Sequence, residues 1–297
     1  MSQLEEIQNE FENFYQQEID SYFPAGAAHF EAIKYSLLGK GKRLRPLFCL
    51  GACELVNGKT EWAKSAAVAI EMVHTYSLVH DDLPAMDDDD FRRGVASCHK
   101  VFGDDIAILA GDGLLNESFA YLSNKLPKRQ CPDFLTLKMV QTLSAKAGVF
   151  GMLWGQVIDL HHGDLNLDKI LWIHEMKTAK LFQASLLLGF LCQEKKSVDV
   201  TFHKMLENFG KELGILFQLL DDLDDWSNHK KGELNVLQIV DVPKCLSMIE
   251  ERFVHLWKGL EALTDRPKKE TILGLILLKL EKKFNQICES GVNKSDF

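Results

Sequence analysis

The chain has 297 residues, 46% of them hydrophobic and 26% charged, with a formal net charge of −9. That balance suits a globular protein with one large core, and the negative excess excludes a general nucleic-acid binder, which needs a basic face to displace counterions from phosphate. The longest uninterrupted apolar runs, 186–192 and 272–278, fall far short of the roughly 20 residues of a membrane span. No stable membrane anchor is therefore expected. The acidic N-terminus lacks the basic start and apolar middle of a signal peptide, which points to the cytoplasm. Seven cysteines in no tight framework point to free thiols.

All seven prolines fall between or at the edges of helix-patterned segments, and no convincing alternating strand run is present. The expected architecture is all-α, in one domain over residues 1–297. Helices are predicted over 3–22 and 27–38. The stretch GKGKRLRP follows, with Pro46 placed as the first residue of a helix running to Val56. Lys40, Lys42, Arg43 and Arg45 just before a helix N-terminus make either an anion site or a solvated basic turn.

Residues 61–82 read as one long helix. Ile70, His74, Ser77 and Asp81 recur at steps of four, three and four and so share a stripe, with His74 about 10 Å below Asp81. Pro84 ends this helix and lets 87–90 fold back. Further helices are predicted over 107–126, 134–150 and 168–192. In WGQVIDL, Gln156 and Asp159 lie three apart, either facing an interior or serving as cap or surface groups. The last helix read from the pattern is 197–226. Gln218, Asp221, Asp222 and Asp225 lie on one of its faces, with Gly210 and Gly214 below them as positions where a ligand could find room.

Two acidic clusters stand out. HDDLPAMDDDDFRRG, from His80 to Gly94, holds six aspartates in ten positions, and DDLDD occupies 221–225 at the end of an apolar run. Crowded carboxylates repel one another unless water or a cation neutralises them. Oxygen donors without a matched Cys/His set suit Mg²⁺ or Ca²⁺ rather than zinc. An EF-hand is excluded by the missing glycine, and a P-loop by the spacing of GKGKRLRP and the lack of a preceding strand. Two carboxylate clusters with separate cationic spots are what a Mg²⁺–diphosphate site requires.

These residues carry a resemblance. GKRLRP (41–46), HTYSLVHDDLPAMDDDDFRRG (74–94), GDDIAILAGDGLL (103–115), GQVIDL (155–160), MKTAKLF (176–182) and FQLLDDLDD (217–225) resemble the trans-prenyl diphosphate synthase family, most nearly bacterial farnesyl diphosphate synthases. The resemblance implies the all-α isoprenoid synthase fold around a deep cavity, a homodimer, Mg²⁺ as cofactor, and isopentenyl and allylic diphosphates as substrates. It places metal at Asp81, Asp82 and Asp87 and, across the cavity, at Asp221, Asp222 and Asp225. It puts Arg92 on the allylic diphosphate, and Lys42, Arg45, His74 and Arg93 on isopentenyl diphosphate. Lys177, Thr178 and Gln218 are implied beside the reacting carbons, with Lys177 also reaching the departing diphosphate.

Product length in the family depends on what blocks the cavity below the first aspartate. Here that implies Tyr76 and Ser77, a pattern like that of enzymes stopping at farnesyl diphosphate; geranylgeranyl diphosphate is the alternative product. After Asp225 the resemblance fades. The family's glycine-lysine pair and Lys-Thr-Tyr-Pro run are replaced by WSNHKKGELNVLQIVDVPKC, which leaves Lys230 or Lys231 as substitutes and Asn235 at the ungapped lysine position. The family's basic C-terminal ending is also missing. Two rivals follow. A terpene cyclase is disfavoured by the second aspartate cluster, and a non-catalytic regulatory subunit by the intact aspartates and arginines of the first.

Overall fold

The computed structural model describes residues 2–194, 199–226 and 234–289, which are helical almost throughout. Ser2 opens α1 (Gln3–Tyr22) with a capping box closed by Glu5. Then come α2 (Ala28–Leu37), α3 (Leu44–Leu55) and α4 (Thr60–Asp81). A short hairpin, β1 (Phe91–Arg92) with β2 (Val95–Ala96), leads into α5 (Cys98–Phe102) and the long α6 (Asp104–Lys128). Next are α7 (Asp133–Ala147), α8 (Met152–Leu160), α9 (Leu167–Ile173), a π turn (His174–Ala179) and α10 (Lys180–Phe190). The second half closes with α11 (Val200–Asp225), α12 (Val242–Leu263) and α13 (Ile272–Glu289).

The layering follows from which helices are apolar all round. Every residue of α10 from Leu181 to Phe190 is buried, and α4 is buried along most of its length; such helices belong inside a bundle. Accordingly α4 packs against α3 and α6, and α10 against α3, α7 and α11. The amphipathic α1, α12 and α13 close the outside, and one connected apolar core runs through the bundle. This is the isoprenoid synthase fold. Among the described residues no helix is long and apolar enough to cross a membrane, and all seven cysteines are free thiols.

Several boundaries differ from the sequence pattern. The 134–150 segment breaks at Gly148, and α8 begins after Gly151. The 168–192 segment carries the π turn in its middle. The hairpin interrupts the acidic loop, because Arg93 and Gly94 both take positive φ, 55° and 81°, as the tight hairpin turn demands. Pro46 is the third residue of α3 rather than the first. Its missing N–H costs nothing there, since first-turn amides have no intrahelical acceptor.

Arg43 explains the early start of α3. It caps that helix in the left-handed region, φ 48°, and its side chain is inside the protein rather than in solvent. It donates to Glu12 of α1, to Glu71 of α4 and to the carbonyls of Leu37 and Gly39. Burial opposes its charge, and the Glu12 bonds and Glu71 more than compensate. One residue of the basic run thus ties three helices together and sets the path of its neighbours.

Arg43→Met should therefore destabilise the chain by about 3–5 kcal/mol, because it leaves Glu71, 2% exposed, buried without its partner. In urea denaturation the double variant Arg43→Met/Glu71→Gln should lose less than the single one. Equal losses would assign the cost to the carbonyl bonds instead.

Candidate diphosphate and metal site

Both acidic clusters sit at helix C-termini. Asp81 is the last residue of α4, and Asp221 to Asp225 form the final turn of α11, which contains no basic residue. The negative end of a helix dipole favours cations, so carboxylates there are doubly unfavourable. The cost appears in the acids themselves. Burial pushes Asp81 up to about 6 against the pull of Lys177, and raises Asp82 and Asp87 as well.

The loop after Pro84 folds back as its sequence predicts, with Asp87 N–H donating to Asp81 O at 2.9 Å. Asp82 is buried, and Arg92 Nε donates to its Oδ1 at 2.7 Å; the Arg92 Nη2 also reaches Asp82 Oδ1 and, at 3.1 Å, Asp89 Oδ2. Asp90 pairs with Lys100. Asp82 thus orients Arg92, whereas the strongest opposing charge acting on Asp81 and Asp87 is Lys177.

Lys177 and Thr178 sit on the π turn, which is squeezed between two helices. A Cβ at Gly155 of α8 would lie 2.2 Å from Lys177 N, and one at Gly214 of α11 would lie 2.3 Å from Ala179 Cα. Both glycines are therefore needed for backbone to meet backbone. This corrects the expectation that Gly210 and Gly214 leave room for a ligand, since Gln183 and Ala179 fill that space. Lys177 Nζ donates to Asp159 Oδ2, and Thr178 Oγ1 donates to Gln218 Oε1 at 3.1 Å. Asp159 is thus part of the site; its spacing from Gln156 marked a polar face without revealing its partner.

Lys42, Arg45, His74, Arg92, Arg93 and Gln218 line one cleft of about 630 Å³, with Thr178 and Phe217. Arg45 Nη1 and Arg93 Nη2 both approach His74 Nε2, at 3.1 and 3.3 Å. A guanidinium has no acceptor, so Nε2 accepts and His74 is neutral, with its proton on Nδ1. Burial and the two arginines hold its pKa well below the usual range. His74 therefore aims two cations rather than supplying one. Burial lowers Arg45 to about 10, with Glu71 and Asp221 among the charges acting on it, so it stays cationic at neutral pH. Ser77 bonds back to His74 O at 2.8 Å. Tyr76 is buried edge-on to His80, whose Nε2 lies 3.1 Å from Ile108 O of α6.

The second cluster divides into different roles. Asp222 is 4% exposed, accepting from Gln218 Nε2 at 3.2 Å and from Val236 N–H at 2.9 Å, while its carbonyl accepts from Asn235 Nδ2 at 2.8 Å. Burial pushes it up to about 7, and the buried His174 lies 3.5 Å away. Asp222 is therefore turned inward, where it pins the returning chain, and it is the most buried of the three aspartates expected as metal ligands on α11. Asn235 serves that same anchor rather than a diphosphate. Asp221 is half-buried and pairs with Lys283 of α13, a residue the sequence pattern did not single out; Asp225 is exposed. Lys230 and Lys231 lie outside the described residues.

Among the described residues no three Asp, Glu, His or Cys side chains converge into a ready-made metal site. The donor chemistry nonetheless fits a hard cation. Asp81, Asp87 and Asp221 are oxygen donors, burial raises the first two, and a bound diphosphate would complete an octahedral shell that Mg²⁺ rarely fills with protein alone.

Residues 28–234 match the family model described as polyprenyl synthetase, and the chain belongs to that family. It is 41% identical over 206 residues to the Arabidopsis thaliana protein named heterodimeric geranylgeranyl pyrophosphate synthase large subunit 1, chloroplastic, covering 68% of this chain and 55% of that one. It is 43% identical over 202 residues to geranylgeranyl pyrophosphate synthase, chloroplastic, of Capsicum annuum, covering 66% and 52%. The chain thus spans about half the length of the curated relatives it matches. An apo FPP/GFPP synthase from Zymomonas mobilis superposes with a TM-score of 0.85 at 29% identity, covering 93% of this chain and 98% of that one. A Helicobacter pylori geranyltransferase complexed with magnesium and isoprenyl diphosphate gives 0.77 at 26% identity, with 98% of each chain covered.

The raised Asp81 predicts a pH effect. Its carboxyl titrates near 4 when unfolded and at about 6 when folded. The folded state holds the extra proton between those values, so Asp81 contributes stability that is present below pH 4 and lost as pH rises through 6. Without divalent cations, Asp81→Asn should match the wild type in melting temperature at pH 4 and exceed it by a few degrees at pH 7. A gap that closes with rising pH would contradict the burial argument.

Proposed function

We propose that the chain is a short-chain trans-prenyltransferase that condenses isopentenyl diphosphate with an allylic diphosphate, giving geranylgeranyl diphosphate. The observation that carries the reaction is the union of two kinds of group. Carboxylates strained by burial at the end of α4 adjoin a cleft whose arginines are already aimed. Such a site is built for two diphosphates, one of them held through cations.

Asp81 and Asp87 on the α4 side and Asp221 on the α11 side would hold Mg²⁺, which when bound supplies Lewis-acid neutralisation of the leaving diphosphate. Arg92, fixed by Asp82, grips the allylic diphosphate, and Lys177 donates to it as it departs. Lys42, Arg45 and Arg93 grip isopentenyl diphosphate, with the two arginines steered by His74. The allylic C–O bond breaks and its electron pair leaves with diphosphate. The isopentenyl double bond attacks the resulting cation, and a proton passes to the released diphosphate. Thr178 and Gln218, bonded to each other, border the reacting carbons. Alignment, a stabilised leaving group and exclusion of water carry the rate.

The geranylgeranyl product is supported by relatives at 41 to 43% identity whose names carry it. A farnesyl product is the second reading, favoured by the bulk of Tyr76, buried five positions before Asp81. We also propose a homodimer, which would cover the apolar surface of Val149, Phe150 and Trp154, where Phe150 is 90% exposed in the single chain.

Mass spectrometry after incubation with geranyl diphosphate, isopentenyl diphosphate and Mg²⁺ should show a twenty-carbon product that chelator abolishes. A fifteen-carbon product in wild type that lengthens in Tyr76→Ala would move the assignment to farnesyl. Asp81→Ala should lower kcat by a thousandfold or more with helix content unchanged; unaltered turnover would sink the reaction itself. In sedimentation Phe150→Asp should shift the chain towards monomer, and an unchanged distribution would remove the dimer surface.

A further inference from the structure

Among the described residues, a cation from far along the chain answers the second acidic cluster. Lys283 Nζ lies 3.0 Å from Asp221 Oδ1 and 3.0 Å from Asp224 Oδ2. Its side chain is only 27% exposed. The turn of α13 that carries it is fixed by Leu280 and Phe284, both buried, with the Phe284 ring 5.9 Å from that of Phe253 of α12. The ammonium is thus held where it is rather than sampling solvent. Asp221 and Asp224 are three apart on α11, so one cation between them neutralises two carboxylates at the negative end of that helix.

We propose that Lys283 is the resident counter-cation of the second acidic cluster and competes with divalent cations for Asp221. It thereby sets the concentration at which the α11 side loads. This rests on the reading of Asp221 as a metal ligand. A divalent ion would take the carboxylate oxygen at about 2 Å, and an ammonium held at 3.0 Å from the same oxygen would lie on the order of 4 Å from it, where like charges repel strongly near a protein surface. Both cannot keep Asp221 Oδ1, the oxygen that Lys283 holds. Loading at Oδ1 therefore requires Lys283 to release that oxygen while Asp224 remains to it, a neighbour outside the Asp221, Asp222 and Asp225 set. The arrangement holds the cluster together in the absence of metal and makes loading reversible.

Mn²⁺ titration of the substrate-free chain, read by the EPR signal of free Mn²⁺, tests this without turnover. Lys283→Gln should tighten the binding class that Asp221→Asn removes by about fivefold or more, and Lys283→Arg should stay near wild type. If Asp221→Asn removes a class whose affinity Lys283→Gln leaves unchanged, the competition is overturned while the metal reading of Asp221 stands. If no class depends on Asp221 in either the wild-type or the Lys283→Gln background, the competition is overturned, and the metal reading of Asp221 falls with it when added inorganic diphosphate also brings out no such class. Equal tightening in Lys283→Gln and Lys283→Arg would also overturn the proposal, since charge would then not be the cause.

Discussion

The constraint on which the site depends is negative charge gathered at the wrong end of helices. The peptide dipole already makes the ends of α4 and α11 electronegative, and each adds carboxylates that burial keeps from water. The chain offsets this charge with cations drawn from elsewhere: Arg92 from the hairpin for Asp82, Lys177 from the π turn near Asp81 and Asp87, and Lys283 from α13 for Asp221. The offset is incomplete at Asp81 and Asp87, and that shortfall is what an incoming cation would relieve. Stability alone gives no reason to end two long helices in this way.

Placing those cations requires a rigid frame. The π turn inserts one extra residue into a helical ladder, re-aiming Lys177 and Thr178, and such bulges recur at functional sites. It is wedged by Gly155 and Gly214, whose missing side chains let α8 and α11 approach its backbone. On the other wall Arg43 anchors α3 to α1 and α4, which leaves Lys42 and Arg45 on either side of it to line the cleft. Within one basic run, alternate residues hold the fold and form the site.

Much of this was legible in the sequence where the information is local. Helical periodicity and proline placement foretold the all-α fold, and the stripe of His74, Ser77 and Asp81 placed a cleft residue on the helix that ends at the first acidic cluster. What escaped it is non-local. The break of a helix at Gly148 and the π turn depend on neighbouring backbone, which periodicity does not record. Glu71, buried to receive Arg43, looks like any charged residue in a long helix. Asp159 and Lys283 acquire meaning only from partners 18 and 62 residues away.

The run DDLDD shows why pattern alone cannot distribute roles. Asp221 and Asp222 are adjacent and chemically identical, yet they point about 100° apart on α11. One therefore meets Lys283, while the other enters the bundle, where Gln218, Val236 and Asn235 fix it. Buried Asp222 joins the helix to the chain that returns to it, so its carboxylate positions the end of α11 while its neighbour pairs with Lys283. An acidic cluster of this kind is part internal anchor and part surface ion pair, and the division follows from which helices pack against which face.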